Sequence, residues 1–418
     1  MTKFTKKILA AASAGTMFLS LASPVLADNT IEIIGNGYDS ENEVEVELEN
    51  ETSVYQHNKA IIINDIDADA ETGENDANQN TGGTTGILTG NARTSVAISN
   101  MLNSNSASVD CCSAGDTTVK IAENGAESEN EVELELENEI DIYQDNFAKV
   151  KNEVDADAET GENDANQNTG GDVLVSTGKA STTVEVSTLA NANMAVVGGG
   201  DNDGGSLSAW IVGNGYDSEN EIELELEKET LITQDNFAKV KNEVEAEAET
   251  CENDANQNTG GDVLIGTGDA KTWVEVDNMV NFNSAEVDCG CLLDLFAKIG
   301  ENGADTENEI EAELESEKNV YQGWGEYGNF AFLLNDVDGD SETGENDVDQ
   351  NTGDPEGDPG ILTGDALDHV AVSNSGNVNI YGDGAGFEWP ELPEWPEFDF
   401  SFSFNLSLSQ LLGFLGLV

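Results

Sequence analysis

Basic residues are scarce in this chain, where 15 Lys+Arg stand against 85 Asp+Glu for a formal charge of −70. A polyanion of that density excludes nucleic acid and anionic membrane as electrostatic partners, and favours metal cations, basic partners or colloidal solubility. Histidine is nearly missing: the 2 histidines, His57 and His369, do not recur elsewhere in the chain in equivalent places. The basic residues are spread thinly in sequence, so no phosphate clamp or oxyanion-stabilising cluster is visible. Aromatics make up 6% and prolines number 6, which excludes a core of large side chains and leaves one built from small residues. Of the 5 cysteines, Cys111-Cys112 and Cys289-Gly290-Cys291 have spacings that no zinc ribbon uses, and Cys251 stands alone. A disulfide, idle thiols and a metal site all stay open for them.

At the N-terminus, Lys3, Lys6 and Lys7 precede an apolar run from Ile8 that ends in Val25-Leu26-Ala27. This is the pattern of a signal peptide over residues 1–27, and it predicts export. Ser13, Gly15, Ser20, Ser23 and Pro24 make the run weak as a membrane span, so no transmembrane helix is expected in the mature chain. Cleavage removes 3 basic residues and no acids, which shifts the charge to 12 − 85 = −73.

Residues 129–139 read ENEVELELENE. As a helix this stretch scatters its apolar residues and crowds its glutamates at i,i+4. As a strand it puts Val132, Leu134 and Leu136 on a dry face and Glu131, Glu133, Glu135 and Glu137 on a wet one. The same parity runs from Asn130 to Thr160 without turn chemistry.

The pattern occurs four times. GYDSENE at 37–43 returns at 125–131, 215–221 and 303–309, and Asn42, Asn130, Asn220 and Asn308 are separated by steps of 88, 90 and 88. ETGENDANQNTGG at 71–83 returns at 159–171, 249–261 and 342–354, with Cys251 replacing a glycine in the third copy. The chain therefore divides into a signal peptide (1–27), repeats at 28–118, 119–207, 208–296 and 297–386, a Pro-rich tether (387–398) and an apolar C-terminal strand (399–418). Repeat four carries an insertion in GWGEYGNF, 323–330, after which the alternation resumes with Val337 and Thr343 facing inward.

Long alternating strands with inward Asn and Gly predict an all-β, elongated β-solenoid of four repeats, its amides stacked in ladders. With roughly 20–25 residues per turn, each repeat would hold about four turns and the rod would reach about 75 Å. The rival is a string of β-sandwich domains of ~88 residues, which would need hairpin turns inside the unbroken stretch. Gln144-x-Asn146-x-Ala148 and the run Asn166-Gln167-Asn168-Thr169-Gly170 resemble the rungs of curlin-type fibre subunits. Thr177-Gly178-Lys179-Ala180, followed by spaced valines and asparagines to Asn193, resembles Asn/Thr/Gly-rich repeat surface proteins of bacteria, including those of the candidate phyla. The resemblance implies a surface β-solenoid and self-assembly. The chain departs from curlins in its acidity and in lacking a glycine after the glutamine.

Carboxylates at alternate positions in NDVDGDSETGEND, namely Asp336, Asp338, Asp340, Glu342 and Glu345, make Ca2+ the cofactor candidate. In a straight strand these acids fan out along one face, roughly 7 Å between i and i+2, so chelation needs a facing strand. Phe400, Phe402, Phe404, Leu406 and Leu408 alternate with polar residues in the tail, which marks that strand for self-association or attachment to a cell-surface component. The expectation is a non-enzymatic, secreted structural protein of the cell surface or extracellular matrix, a stalk, adhesin or filament subunit. A calcium-dependent adhesin of β-sandwich domains, binding carbohydrate or protein, is the alternative.

Overall fold

The computed structural model describes residues 17–21, 29–110, 116–198, 206–288, 294–323, 328–353 and 359–382. The tether and C-terminal strand at 387–418 lie outside the described residues, as do Cys111, Cys112, Cys289 and Cys291.

A short strand β1 (Met17–Leu21) precedes four equivalent sets of strands. The first set is β2 (Asn29–Ile34), β3 (Glu41–Glu71), β4 (Thr85–Leu88) and β5 (Ala92–Val109), and the second is β6 (Thr117–Ala122), β7 (Glu129–Glu159), β8 (Val173–Ser176) and β9 (Ala180–Gly198). The third is β10 (Ser206–Val212), β11 (Glu219–Glu249), β12 (Val263–Gly266) and β13 (Ala270–Asp288). The fourth is β14 (Asp294–Gly300), β15 (Glu307–Gln322), β16 (Asn329–Glu342), β17 (Gly360–Leu362) and β18 (Ala366–Tyr381). The described structure is all-β.

Each set supplies its strands to four separate parallel sheets, ordered β2-β6-β10-β14, β3-β7-β11-β15, β4-β8-β12-β17 and β5-β9-β13-β18, with β16 also paired to β11 and β1 at the open edge of β5. Glu41 lies beside Glu129, Glu129 beside Glu219 and Glu219 beside Glu307, and the register holds along the full length of the long strands. The chain thus returns beside itself after one whole repeat. This corrects the shorter turn expected from sequence: the step is 88 to 90 residues, rising to 93 after the insertion in repeat four and to 96 at β17 and β18, so four repeats make a stack four strands deep. The pleat alternates with period two whatever the length of the coil, so the alternation carried no information on that step. At about 3.3 Å per residue the 31-residue strands run about 100 Å, while four strands at about 4.8 Å stand less than 20 Å tall. Separate β-sandwich domains do not form, because every repeat pairs its strands with those of the next. The arrangement is consistent with a β-solenoid.

Within one set, the long strand faces the strand before it and the strand that closes the set, both antiparallel to it, while β4, β8 and β12 pack on Ala77, Ala165 and Ala255 of the turn segment that follows the long strand. Val132, Leu134, Ile222 and Leu224 of the long strands pack on Val119, Ile121, Leu207 and Ile211. Farther along, Ile140 and Ile142 meet Ala107, Val109, Ala195 and Val197, and Val154 and Ala156 meet Val184 and Val186. Burying each large aliphatic side chain contributes about 1.5–3 kcal/mol. The wet–dry parity expected from Asn130 to Thr160 is the parity observed: Val132, Leu134, Gln144, Asn146, Asn152, Val154 and Thr160 are all buried.

Inward amides satisfy one another along the stack. Asn42 donates to Asn130 at 2.8 Å, Asn130 to Asn220 at 2.9 Å and Asn220 to Asn308 at 2.8 Å. Glutamines form a second ladder, Gln144 to Gln56 at 2.7 Å, Gln234 to Gln144 at 2.8 Å and Gln322 to Gln234 at 2.9 Å. A buried amide without partners would cost several kcal/mol, so a column of them demands in-register stacking.

Asn103, Asn191, Asn281 and Asn377 adopt positive φ and interrupt the pairing at the same place in each strand of the β5-β9-β13-β18 sheet. Each is a bulge that swaps the inward parity, from Val96 and Ile98 before it to Ala107 and Val109 after it. The released side chain of Asn191 donates to the Phe237 carbonyl across the interior at 2.8 Å. The insertion in repeat four is absorbed between Gln322 and Asn329, which pair with Gln234 and Asn236, so that six residues oppose Asp235 alone. Beyond it Val337 pairs with Val244 and Thr343 is buried, the register expected from the sequence.

Candidate functional site

The register turns the outward acids of the long strands into two fields. In the first, Glu41, Glu43, Glu45, Glu47, Glu49 and Glu51 each head a column that contains glutamate on all four strands. The column of Glu45, for example, continues through Glu133, Glu223 and Glu311. Neighbours in a column are separated by the strand spacing, about 4.8 Å, whereas neighbours along a strand are roughly 7 Å apart.

The second field lies at the far end of the same strands. Asp65, Asp67, Asp69 and Glu71 head its columns, which end in Asp336, Asp338, Asp340 and Glu342. The calcium candidates read from sequence are therefore the last members of four acidic columns, with Glu243, Glu245, Glu247 and Glu249 beside them. Glu345 falls in the following turn with φ 50°. The structure spreads the first four of these acids along β16, each beside a carboxylate of β11, and leaves Glu345 beyond the strand, so the five do not gather around one point. Asp336 and Asp338 help line a groove of about 440 Å³ whose walls are eight carboxylates and whose floor is Ile66, Val154 and Val244.

Crowding shows in the acidities. Burial pushes Glu159 up to about 7, helped by repulsion from Glu162 and Glu249. Asp157 rises to about 6, again chiefly through burial and then through Asp155 and Asp69, and its Oδ1 is buried without a hydrogen-bond partner. In the first field, Glu133, Glu135 and Glu137 rise above the usual carboxylate range as water is lost around them and the glutamates above and below repel them.

Between the fields lies a band of opposite character, which the thin spread of lysines in the sequence concealed. Lys59, Lys149, Lys151, Lys239 and Lys241 come together because positions 88 to 90 apart are neighbours in the stack. Phe147, Phe237 and Phe330 stack at 4.9 and 5.3 Å between centroids, and Lys59 lies 5.3 Å over the Phe147 ring. Lys151 pairs with Glu153, and Lys241 with Glu243 at 2.6 Å, at the border with the second field. His57 contacts Asp145 at 2.9 Å, and His369 stacks on Trp273 at 3.7 Å.

The ligand atoms of Glu249, Cys251 and Glu342 lie within 4.8 Å of one another, with Cys251 buried as a free thiol. Its Sγ donates to Glu249 Oε2 at 3.5 Å, and burial together with the surrounding carboxylates pushes the thiol well above its ordinary value. The replacement of glycine by cysteine in ETCENDANQNTGG was the sequence signal, but only the stacking brings in Glu342. No helix among the described residues is long and apolar enough to cross a membrane.

Comparison with protein-family models, curated proteins and solved structures finds no match to this chain.

Proposed function

We propose that the chain is a secreted, non-enzymatic structural β-solenoid of the bacterial cell surface or extracellular matrix, whose acidic columns take up calcium. One observation carries this reading: carboxylates are held in register at the strand spacing in both acidic fields of β3, β7 and β11, from Glu41 to Glu51 and from Asp65 to Glu71. Calcium binds oxygens at 2.3–2.6 Å, so two oxygens on opposite sides of one ion are about 4.6–5.2 Å apart. That span matches the about 4.8 Å between neighbours in a column. Ions bridging adjacent strands would offset the burial of charge and, after it, the repulsion that raise Glu133 and Glu159, and would tie repeat to repeat. Polar residues recur in columns rather than converging once in a unique cleft, which suits a scaffold better than a catalyst. The leader-like N-terminus and the polyanionic surface support export and a hydrated extracellular setting. The C-terminal strand is the proposed attachment to the cell surface or to other subunits.

The test is calcium titration of the purified protein by isothermal calorimetry. Multiple sites, reduced when Glu133, Glu135 and Glu137 are changed together to Gln, support the reading. Heat no greater than that of magnesium or sodium dilution rejects the calcium part of it.

A further inference from the structure

We propose that copies of the chain stack head to tail, the first repeat of one copy laid on the fourth repeat of the next, in the register that joins repeats within a chain. This rests on the structural reading above and names its assembly surface. The pairing rule stops at two open edges, β3 with β5 on one side and β15, β16 and β18 on the other. Both edges present the same amides: Asn42 and Asn308, Gln56 and Gln322, and Asn64 and Asn335 head and end the same columns. The amide series that runs from Asn36 to Asn124, Asn214 and Asn302 by backbone and side-chain donation also ends at these edges, poised to continue with Asn36 of another copy.

Glycines at the edges supply an independent observation. A Cβ on Gly125 would lie 2.5 Å from the Gly37 carbonyl oxygen, and one on Gly178 would lie 2.0 Å from that of Gly90, so close stacking requires glycine at both positions. Gly37 and Gly90 occupy the same columns at the open edge. Each has nothing within 4 Å of an added Cβ, and neither has a positive φ. Within the isolated chain nothing requires glycine there. A neighbour's Gly303 and Gly364 carbonyls, placed by the same register, would require it. At the opposite edge, Gly344 follows Gly73 and Gly161, whose added Cβ atoms would lie 2.0 and 1.8 Å from the next carbonyl oxygen. The third member of that column is Cys251, with the fourth repeat stacked beyond it, so both the turn and the column admit a small side chain and the blocking variant needs a β-branched one. β1 pairs with Asn105–Val109, part of the edge that a neighbour's β18 would take, and it belongs to the segment expected to be removed on export.

The experiment uses the protein purified after secretion, and compares wild type with Gly37→Val/Gly90→Val and with Gly344→Val by analytical ultracentrifugation and negative-stain microscopy. Thermal melts and circular dichroism report folding separately. Wild type is expected to form stacks that lengthen with concentration. Both variants are expected to be folded monomers with unchanged melting, and their mixture to form dimers that grow no further, since each keeps one good edge. Gly125→Val, whose Cβ has no room inside the chain, is expected to lose folding. A wild type that stays monomeric at all concentrations overturns the proposal, because the edges are then covered by the chain's own segments. Stacks that survive Gly37→Val/Gly90→Val overturn it as well, and point to assembly through the C-terminal strand. Either failure leaves the structural reading standing as long as the β-sheet dichroism and the calcium response persist.

Discussion

The side chain of Asn146 donates to Asn193 Oδ1 at 2.7 Å, joining the long strand to its returning neighbour across the interior. The same amide reaches Asn236 Oδ1 at 3.1 Å on the next strand of its own sheet, so one side chain ties two sheets and two repeats. Asn146→Ala should therefore destabilise the fold by about 1–3 kcal/mol for each buried group it leaves unsatisfied. Asn58→Ala, at the half-exposed end of the same column, should cost less because water replaces the lost partner. Urea denaturation of the two variants gives the comparison, and equal losses would mean that the ladder is not continuous.

Val154 is buried on the dry face and Glu133 is exposed on the wet one. Val154→Asp should destabilise by several kcal/mol, since an unpaired carboxylate enters an apolar layer. Glu133→Lys should change stability by less than about 1 kcal/mol, in the favourable direction, because it meets Glu45 and Glu223. Similar melting temperatures for the two variants would contradict the assignment of faces.

Acid should stabilise this protein, contrary to the usual loss of stability when carboxylates protonate. Glu159 titrates at about 7 in the fold against an ordinary 4.5, and Asp157 at about 6 against 3.8. A carboxyl whose pKa is raised by folding binds protons more tightly when folded. Its stabilisation is complete below the ordinary value and is lost as pH rises through the raised one. The melting temperature at low salt should accordingly be higher near pH 5 than near pH 8. Replacing Glu159 and Asp157 by Gln and Asn should flatten that slope, and a melting temperature that climbs with pH would refute the crowding of this field.

Calcium at millimolar concentration should raise the melting temperature more than sodium at equal ionic strength. Screening alone depends on ionic strength, whereas bridging depends on the ion. Equal shifts would leave the acidic columns as a screened surface. Reversal of the calcium shift by a chelator would confirm that the ion, rather than a slow change in the chain, is responsible.

Parity was legible in the sequence because it is local. Alternation from Asn130 to Thr160 names the buried residues with no knowledge of what pairs with what, and Val337 and Thr343 could be placed across an insertion for the same reason. The length of the coil was not legible, since a two-residue period looks alike at any coil length. The Asn191 bulge was missed because an asparagine at positive φ is a backbone choice that the letters allow without requiring. Lys59, Lys149 and Lys239 are far apart in sequence, and only the register gathers them into a band with Phe147. The neighbourhood of Cys251 was hidden in the same way, because Glu342 belongs to the following repeat.

Disulfide trapping tests the one-repeat register most directly. In a chain whose 5 native cysteines are replaced, Glu133→Cys with Glu223→Cys places two thiols at partnered positions of β7 and β11. Adjacent strands are about 4.8 Å apart, within the Cα separation of about 4.4–6.8 Å that a disulfide spans. Glu133→Cys with Glu227→Cys displaces the second thiol by four residues, roughly 13 Å along the strand. Rapid intramolecular bridging of the first pair and none of the second is the expected result. Equal bridging, or a preference for the displaced pair, would contradict the stacking of whole repeats.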